Sequence, residues 1–287
     1  MLVSIDAPTE RERIEEIAAQ LGIQDALVDG RLRRAQARCV FQDLGGACRI
    51  HQAFGAAAKP ATCQQFPLVV LQTEAGPRAG IDPCCFHAQG QGTSAPALSA
   101  EGLPARRVSF EPWQAEDERR LLEVLDAGDA SLFRVLGWLR SDGVDSDAQA
   151  PPAMLTAWVH ALQRAQLQRF LDPDIAGVVL RRSLGPAFGA IPRLDPARPP
   201  PWPTLEGDAQ AGVVAALRSL VFLRVCSTAI PSVRDVAAVG VLGAALLAWH
   251  DPAPSALETG LAGWFRLMRA PQFSRALLMG GPLVTTA

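Results

Sequence analysis

Between Cys39 and His87 the chain places five of its six cysteines and two of its four histidines within 49 residues. That density constrains the fold more than any other feature. The order is Cys39-x8-Cys48-x14-Cys63-x20-Cys84-Cys85, with His51 and His87 among them. A thiolate is a soft donor suited to zinc or to iron in an iron–sulfur cluster, and four such donors satisfy a tetrahedral ion. The spacings match neither the C-x2-C pairs of zinc fingers and ribbons nor the common ferredoxin runs. Gly45-Gly46, Gly55, Lys59-Pro60 and Asp82-Pro83 punctuate the stretch with turns, as expected of a loop-rich segment whose side chains converge on an ion.

The remaining totals exclude more than they specify. A chain of 287 residues, 49% apolar and 20% charged, folds as one large or two modest domains. A net charge of −2 and a pI near 6.1 give no electrostatic case for nucleic acid. The first residues carry acids where a signal peptide needs a basic start. The longest apolar run, Val236 to Trp249, has 14 residues against the roughly 20 that cross a bilayer. No membrane partner and a cytoplasmic location are therefore expected. In that compartment clustered cysteines more often bind metal or do redox work than form disulfides. A single lysine (Lys59), no tyrosine, and abundant Ala, Arg, Pro and Gly suggest a GC-rich bacterial genome.

Along the chain, residues 2–5 suit a short strand. Thr9-x-x-Glu12 reads as a capping box opening a helix through Ile14, Ile17, Ala18 and Leu21, stopped by Gly22. A second short helix is expected around Gln24–Arg34, and a short strand within Phe66–Leu71. Helical periodicity then predicts Gln114–Leu125, Ala130–Leu139, Pro152–Leu171 and Ile175–Leu184. A proline-rich connector, residues 192–203, admits no helix. Ala209–Thr228, Val233–Trp249 and Ser255–Met268 are apolar nearly all round, as mutually buried helices are. The expected fold is mainly α, with a loop-rich cysteine-cluster module over residues 1–90, a linker over 91–112 and an all-α region over 113–287.

Cys39-Val-Phe, Gly46-Ala-Cys48-Arg-Ile-His51, Phe54-Gly55, Lys59-Pro60-x-x-Cys63, Phe66-Pro67 and Gly80-Ile-Asp-Pro-Cys84-Cys85 together resemble the YkgJ-type cysteine-cluster family, over about the first third of the chain. That family is described as zinc- or iron-chelating and includes flagellin lysine N-methylase-like proteins. Its pattern opens with a CxxCxxCC run, and residues 1–38 hold no cysteine. Either translation begins upstream of Met1, or Cys84, Cys85 or a histidine closes the site.

The expected metal ligands are Cys39, Cys48, Cys63, Cys84 and Cys85, with His51 and His87 as second-rank candidates. The competing account makes free cysteines small buried hydrophobes, which is the expectation for Cys226. His160 and His250 are explained by exposure or capping, and Arg218 and Arg224 by snorkelling from an apolar helix. Three functions follow in order. The first is a metal-binding protein holding zinc or iron, or an iron–sulfur cluster. The second, implied by the resemblance alone, is a protein lysine N-methyltransferase using S-adenosylmethionine on a protein substrate, although no Gly-rich strand–turn–helix motif supports a Rossmann site. The third is a thiol redox protein using Cys84-Cys85. No catalytic residue is assigned.

Overall fold

Proline opens the first helix. Pro8 stands at the first position of α1 (Pro8–Gln20), where its missing N–H costs nothing and its fixed φ suits the helix. The N-cap is therefore Ala7, and no side chain caps this end, so the capping box at Thr9 is not formed. Gly22 ends the helix at φ +67.

The computed structural model describes residues 5, 7–35, 38–43, 47–85, 106–107, 112–140, 152–172, 176–227, 229–279 and 283. The strand expected over 2–5 lies almost wholly outside them, as do most of the 91–112 linker and His87. Two compact units are formed: Met1–Phe66 with Leu171–Val178, and Pro67–Phe170 with Val179–Ala287.

In the first unit the helix expected around Gln24–Arg34 is instead a hairpin. Strands β1 (Leu27–Val28) and β2 (Arg31–Leu32) pair antiparallel across Asp29-Gly30. Both turn residues have positive φ, +50 and +70, the conformation of the Asp-Gly hairpin turn. A second antiparallel pair, β3 (Arg34–Ala35) with β4 (Arg38–Cys39), follows at once. Two short helices, α2 (Arg49–Phe54) and α3 (Ala61–Gln65), complete this part. Ile5, Ile14, Ile17, Ala18, Ala26, Leu32, Phe41 and Ile50 form its core.

The second unit is helical, as its periodicity predicts. Strands β5 (Leu68–Thr73) and β6 (Gly76–Ile81) pair antiparallel, and β7 (Arg106–Arg107) joins β5 in parallel. The expected strand is thus displaced by two residues and gains a partner. Eight α-helices follow among the described residues: α4 (Pro112–Asp126), α5 (Leu132–Arg140), α6 (Pro152–Ala165), α7 (Val178–Ala190), α8 (Gly207–Phe222), α9 (Val233–His250), α10 (Pro254–Met268) and α11 (Pro271–Leu278); the helix expected over Pro152–Leu171 ends at Ala165, and Leu167–Leu171 is a 3-10 turn. A 3-10 turn, Ile191–Arg193, takes in the first two residues of the expected connector; beyond it no helix forms before α8, as the prolines require, and a turn closed by the Arg198 N–H on the Asp195 carbonyl interrupts the chain. Helix α7 runs past Pro186, farther than the sequence predicts, and α11 was not anticipated.

Helices α8, α9 and α10 pack mutually. Helix α9 spans 18 residues, longer than its 14-residue apolar run. By length and composition it is the one helix among the described residues able to cross a membrane, yet most of it is buried inside the unit. Its packing explains its composition: a Cβ at Gly240 would press on Leu217 and Leu220, and one at Gly243 would overlap the Trp264 indole.

Arg218 and Arg224, expected to behave alike, diverge. Arg218 reaches the surface and pairs with Asp126. Arg224 is 3% exposed, at φ +46 just beyond α8, and pairs with Glu118 and Glu74. Snorkelling fails for Arg224 because carboxylates from α4 and the β5–β6 turn meet it inside the unit. Cys226 is buried, as expected of a core thiol.

Candidate functional site

Three elements of the first unit each deliver one cysteine. Cys39 ends β4, Cys48 is the N-cap of α2, and Cys63 lies within α3. A turn links the first two: the Gln42 N–H donates to the Cys39 carbonyl at 2.9 Å, and Gln42 forms an antiparallel bridge with Cys48. The Cys63 N–H donates to the Pro60 carbonyl at 2.8 Å, which sets the register of α3. All three thiols are partly buried and pack against the same small core.

They are also electrostatic neighbours. Burial pushes the Cys63 thiol up from 9.0 to about 11, with Cys39, Cys48 and Glu10 adding to the rise and Lys59 opposing it. Burial likewise raises Cys39, with Cys48 adding to the rise. The Phe41 N–H and the Arg34 charge pull Cys39 the other way, because both favour the thiolate. A backbone N–H donated to a cysteine sulfur is the kind of outer contact that supports a metal-bound thiolate. The donor chemistry therefore fits a thiophilic ion. Among the described residues no three His, Cys, Asp or Glu side chains already stand in an ion-holding arrangement, so binding requires these side chains to turn toward a shared centre.

His51 is exposed on α2. Cys84 and Cys85 belong to the second unit, in the turn after β6, and both are buried. The Cys84 N–H donates to Asp82 Oδ1 at 2.9 Å, and Asp82 Oδ2 accepts from Arg269 at 2.6 Å. Burial holds the Cys84 thiol well above its ordinary value, against the pull of Arg269. Sequence reading passed over two contributors here. The Phe41 amide carries no side-chain signal, and Glu10 belongs to an ordinary amphipathic helix 53 positions before Cys63.

The raised thiols carry a pH consequence. The Cys63 thiol ionises near 9.0 when unfolded but keeps its proton to about 11 when folded. Stability from the buried, protonated thiol is therefore complete below pH 9.0 and lost as pH rises toward about 11. The metal-free protein should melt at progressively lower temperature across that window, and Cys63→Ser should flatten the decline. A melting temperature that does not change across that window would contradict this burial.

No protein-family model, no curated protein and no solved structure matches this chain.

Proposed function

We propose that this is a metal-binding protein whose first unit holds zinc or iron through Cys39, Cys48 and Cys63. The observation that carries the proposal is the gathering of these three thiols, from three separate elements, onto one small core as electrostatic neighbours. The resemblance of the motif order to the YkgJ-type cysteine-cluster family, carried by the same cysteines, is in keeping with it. The ion supplies cross-linking: it ties the end of β4, the start of α2 and α3 together where short elements leave little core. For structural zinc such binding contributes on the order of 10 kcal/mol of folding free energy.

Anaerobic purification followed by elemental analysis and a visible spectrum tests this. The expected result is about one ion or cluster per chain, brown with absorption near 400 nm for iron–sulfur and colourless for zinc. Cys63→Ser should lose the metal, and a chelator should lower the melting temperature of the wild type alone. Cys84→Ser and Cys85→Ser, tested in parallel, report whether the second unit contributes a ligand. A chain that neither carries metal nor takes up zinc or iron on reconstitution would end the proposal.

A further inference from the structure

Helix α3 has five residues, too few to hold a helix together in water by its own hydrogen bonds. Its N-cap is Pro60, which has no side-chain acceptor, so nothing next to it in sequence caps its first amide. We propose that Glu10 and Arg13 of α1 act together as a latch that seats α3, and that this latch places the Cys63 thiol with Cys39 and Cys48. Both are positioning residues and neither is a ligand; the bearing of the latch on an ion rests on the metal-binding reading above.

Glu10 and Arg13 stand three positions apart, on one face of α1. Glu10 Oε1 accepts the Ala61 N–H at 2.7 Å, so a carboxylate 51 positions earlier fills the cap that Pro60 leaves open. Arg13 donates to the Ala58 carbonyl at 2.7 Å and to the Lys59 carbonyl at 3.3 Å, and lies 3.6 Å from Glu10 Oε1. The two side chains therefore grip the chain on both sides of Pro60. Gln64 closes the arrangement from within α3, its Nε2 donating to the Ala57 carbonyl at 3.0 Å and the Lys59 carbonyl at 2.7 Å. The Pro60 carbonyl accepts the Cys63 and Gln64 N–H groups at 2.8 and 2.9 Å. Every residue from Ala57 to Ala61 thus has a backbone group engaged, and Cys63 follows two positions later. Helix α1 is the fixed side of the latch: Ile14, next to Arg13, is fully buried in the core against which Cys63 packs.

Hydrogen exchange on the full-length chain without metal, resolved by segment, tests the latch. Glu10→Ala removes the cap, and the Cys63, Gln64 and Phe66 amides, which the hydrogen bonds of α3 hold, should exchange on the order of 10-fold faster. That is the factor one hydrogen bond to a charged group is worth. Arg13→Ala should act in the same direction. Glu10→Gln keeps an acceptor for the Ala61 N–H and should exchange as the wild type does. Amides of α2 in the same unit and of β5 in the second unit should be unaffected throughout. Three results would each overturn the latch: unchanged exchange in both alanine variants, a rise that spreads equally over α2, or a Glu10→Gln variant as fast as Glu10→Ala. A Co2+ titration of the same variants reads the consequence for the thiols. Glu10→Ala should weaken binding on the order of 10-fold, as losing an outer partner of a metal ligand does, with Glu10→Gln close to the wild type. Equal Co2+ affinity in Glu10→Ala and the wild type would overturn the role in placing Cys63. If the wild type takes up no Co2+, the metal-binding reading is what fails, and the latch stands or falls by exchange.

Discussion

Replacing Glu118 with alanine is expected to destabilise the helical unit by about 3–5 kcal/mol, the range seen when one partner of a buried ion pair is removed. Glu118 Oε1 accepts from Arg224 Nε at 2.8 Å, and Oε2 accepts from Arg224 at 2.7 Å and from Arg78 at 3.1 Å. The side chains of Arg224 and Glu118 are 1% and 3% exposed. The fork-to-fork geometry satisfies both oxygens, which is the condition under which a buried pair recovers its desolvation cost. Without Glu118 the Arg224 guanidinium loses its most buried partner, and Glu74, which also pairs with it, is 44% exposed. The backbone adds to the cost: Arg224 sits at φ +46, a conformation unfavourable for a side-chain-bearing residue, and persists there because its partners hold it. Glu118→Gln, which keeps the acceptor and loses the charge, should cost less. Glu118→Leu combined with Arg224→Met should recover part of the loss, since the Arg224 charge goes with its partner while Arg78, 12% exposed, still loses its carboxylate. Urea unfolding of the three variants decides the matter, and an unchanged midpoint in Glu118→Ala would refute the account.

The second large effect is expected at Trp264. Its ring is fully buried, edge-on to Phe273 at 5.2 Å and to Phe188 at 6.1 Å. Its Nε1–H donates to the Val239 carbonyl of α9 at 2.9 Å. Trp264→Ala should cost about 3–5 kcal/mol, through the lost transfer energy and the cavity left between α9 and α10. The same contact predicts an effect of opposite origin at Gly243. Alanine is about 1 kcal/mol better than glycine inside a helix. Here its methyl would overlap the indole, so Gly243→Ala should instead destabilise, by about 1–3 kcal/mol. In the double variant the new methyl occupies part of the space vacated by the ring. Its loss should therefore fall short of the sum of the two singles, and strict additivity in calorimetry would show that the two residues do not share one contact.

These two sites mark where local sequence stops being informative. Gly240 and Gly243 are legible as helix-packing glycines because an apolar helix interrupted by glycine has few other uses. The apolar stripes of α4 to α6 and the nearly continuous apolar surface of α8 to α10 are legible for the same reason: both are properties of neighbouring residues. The buried state of Arg224 is not legible, because nothing within α8 announces that Glu118, 106 residues earlier, will meet it. Asp29-Gly30 forms a hairpin turn where a helix is expected over Gln24–Arg34, and Pro8 displaces the capping box by fixing the helix start one residue before Thr9.

The candidate site divides along the same line. The identity of its thiols is a matter of composition, since five cysteines in so short a stretch are chemically conspicuous wherever the chain takes them. Which thiols become neighbours is a matter of packing: Cys39, Cys48 and Cys63 gather on the core of the first unit, and Cys84 and Cys85 enter the second. Helix periods, proline breaks and ligand chemistry depend on a residue and those near it in sequence, so they were settled before the chain folded. The partner of Arg224, the contact of Trp264 with Gly243 and the seat of Glu10 against α3 depend on groups tens to more than a hundred residues apart, and only burial of the two cores brings such groups within reach.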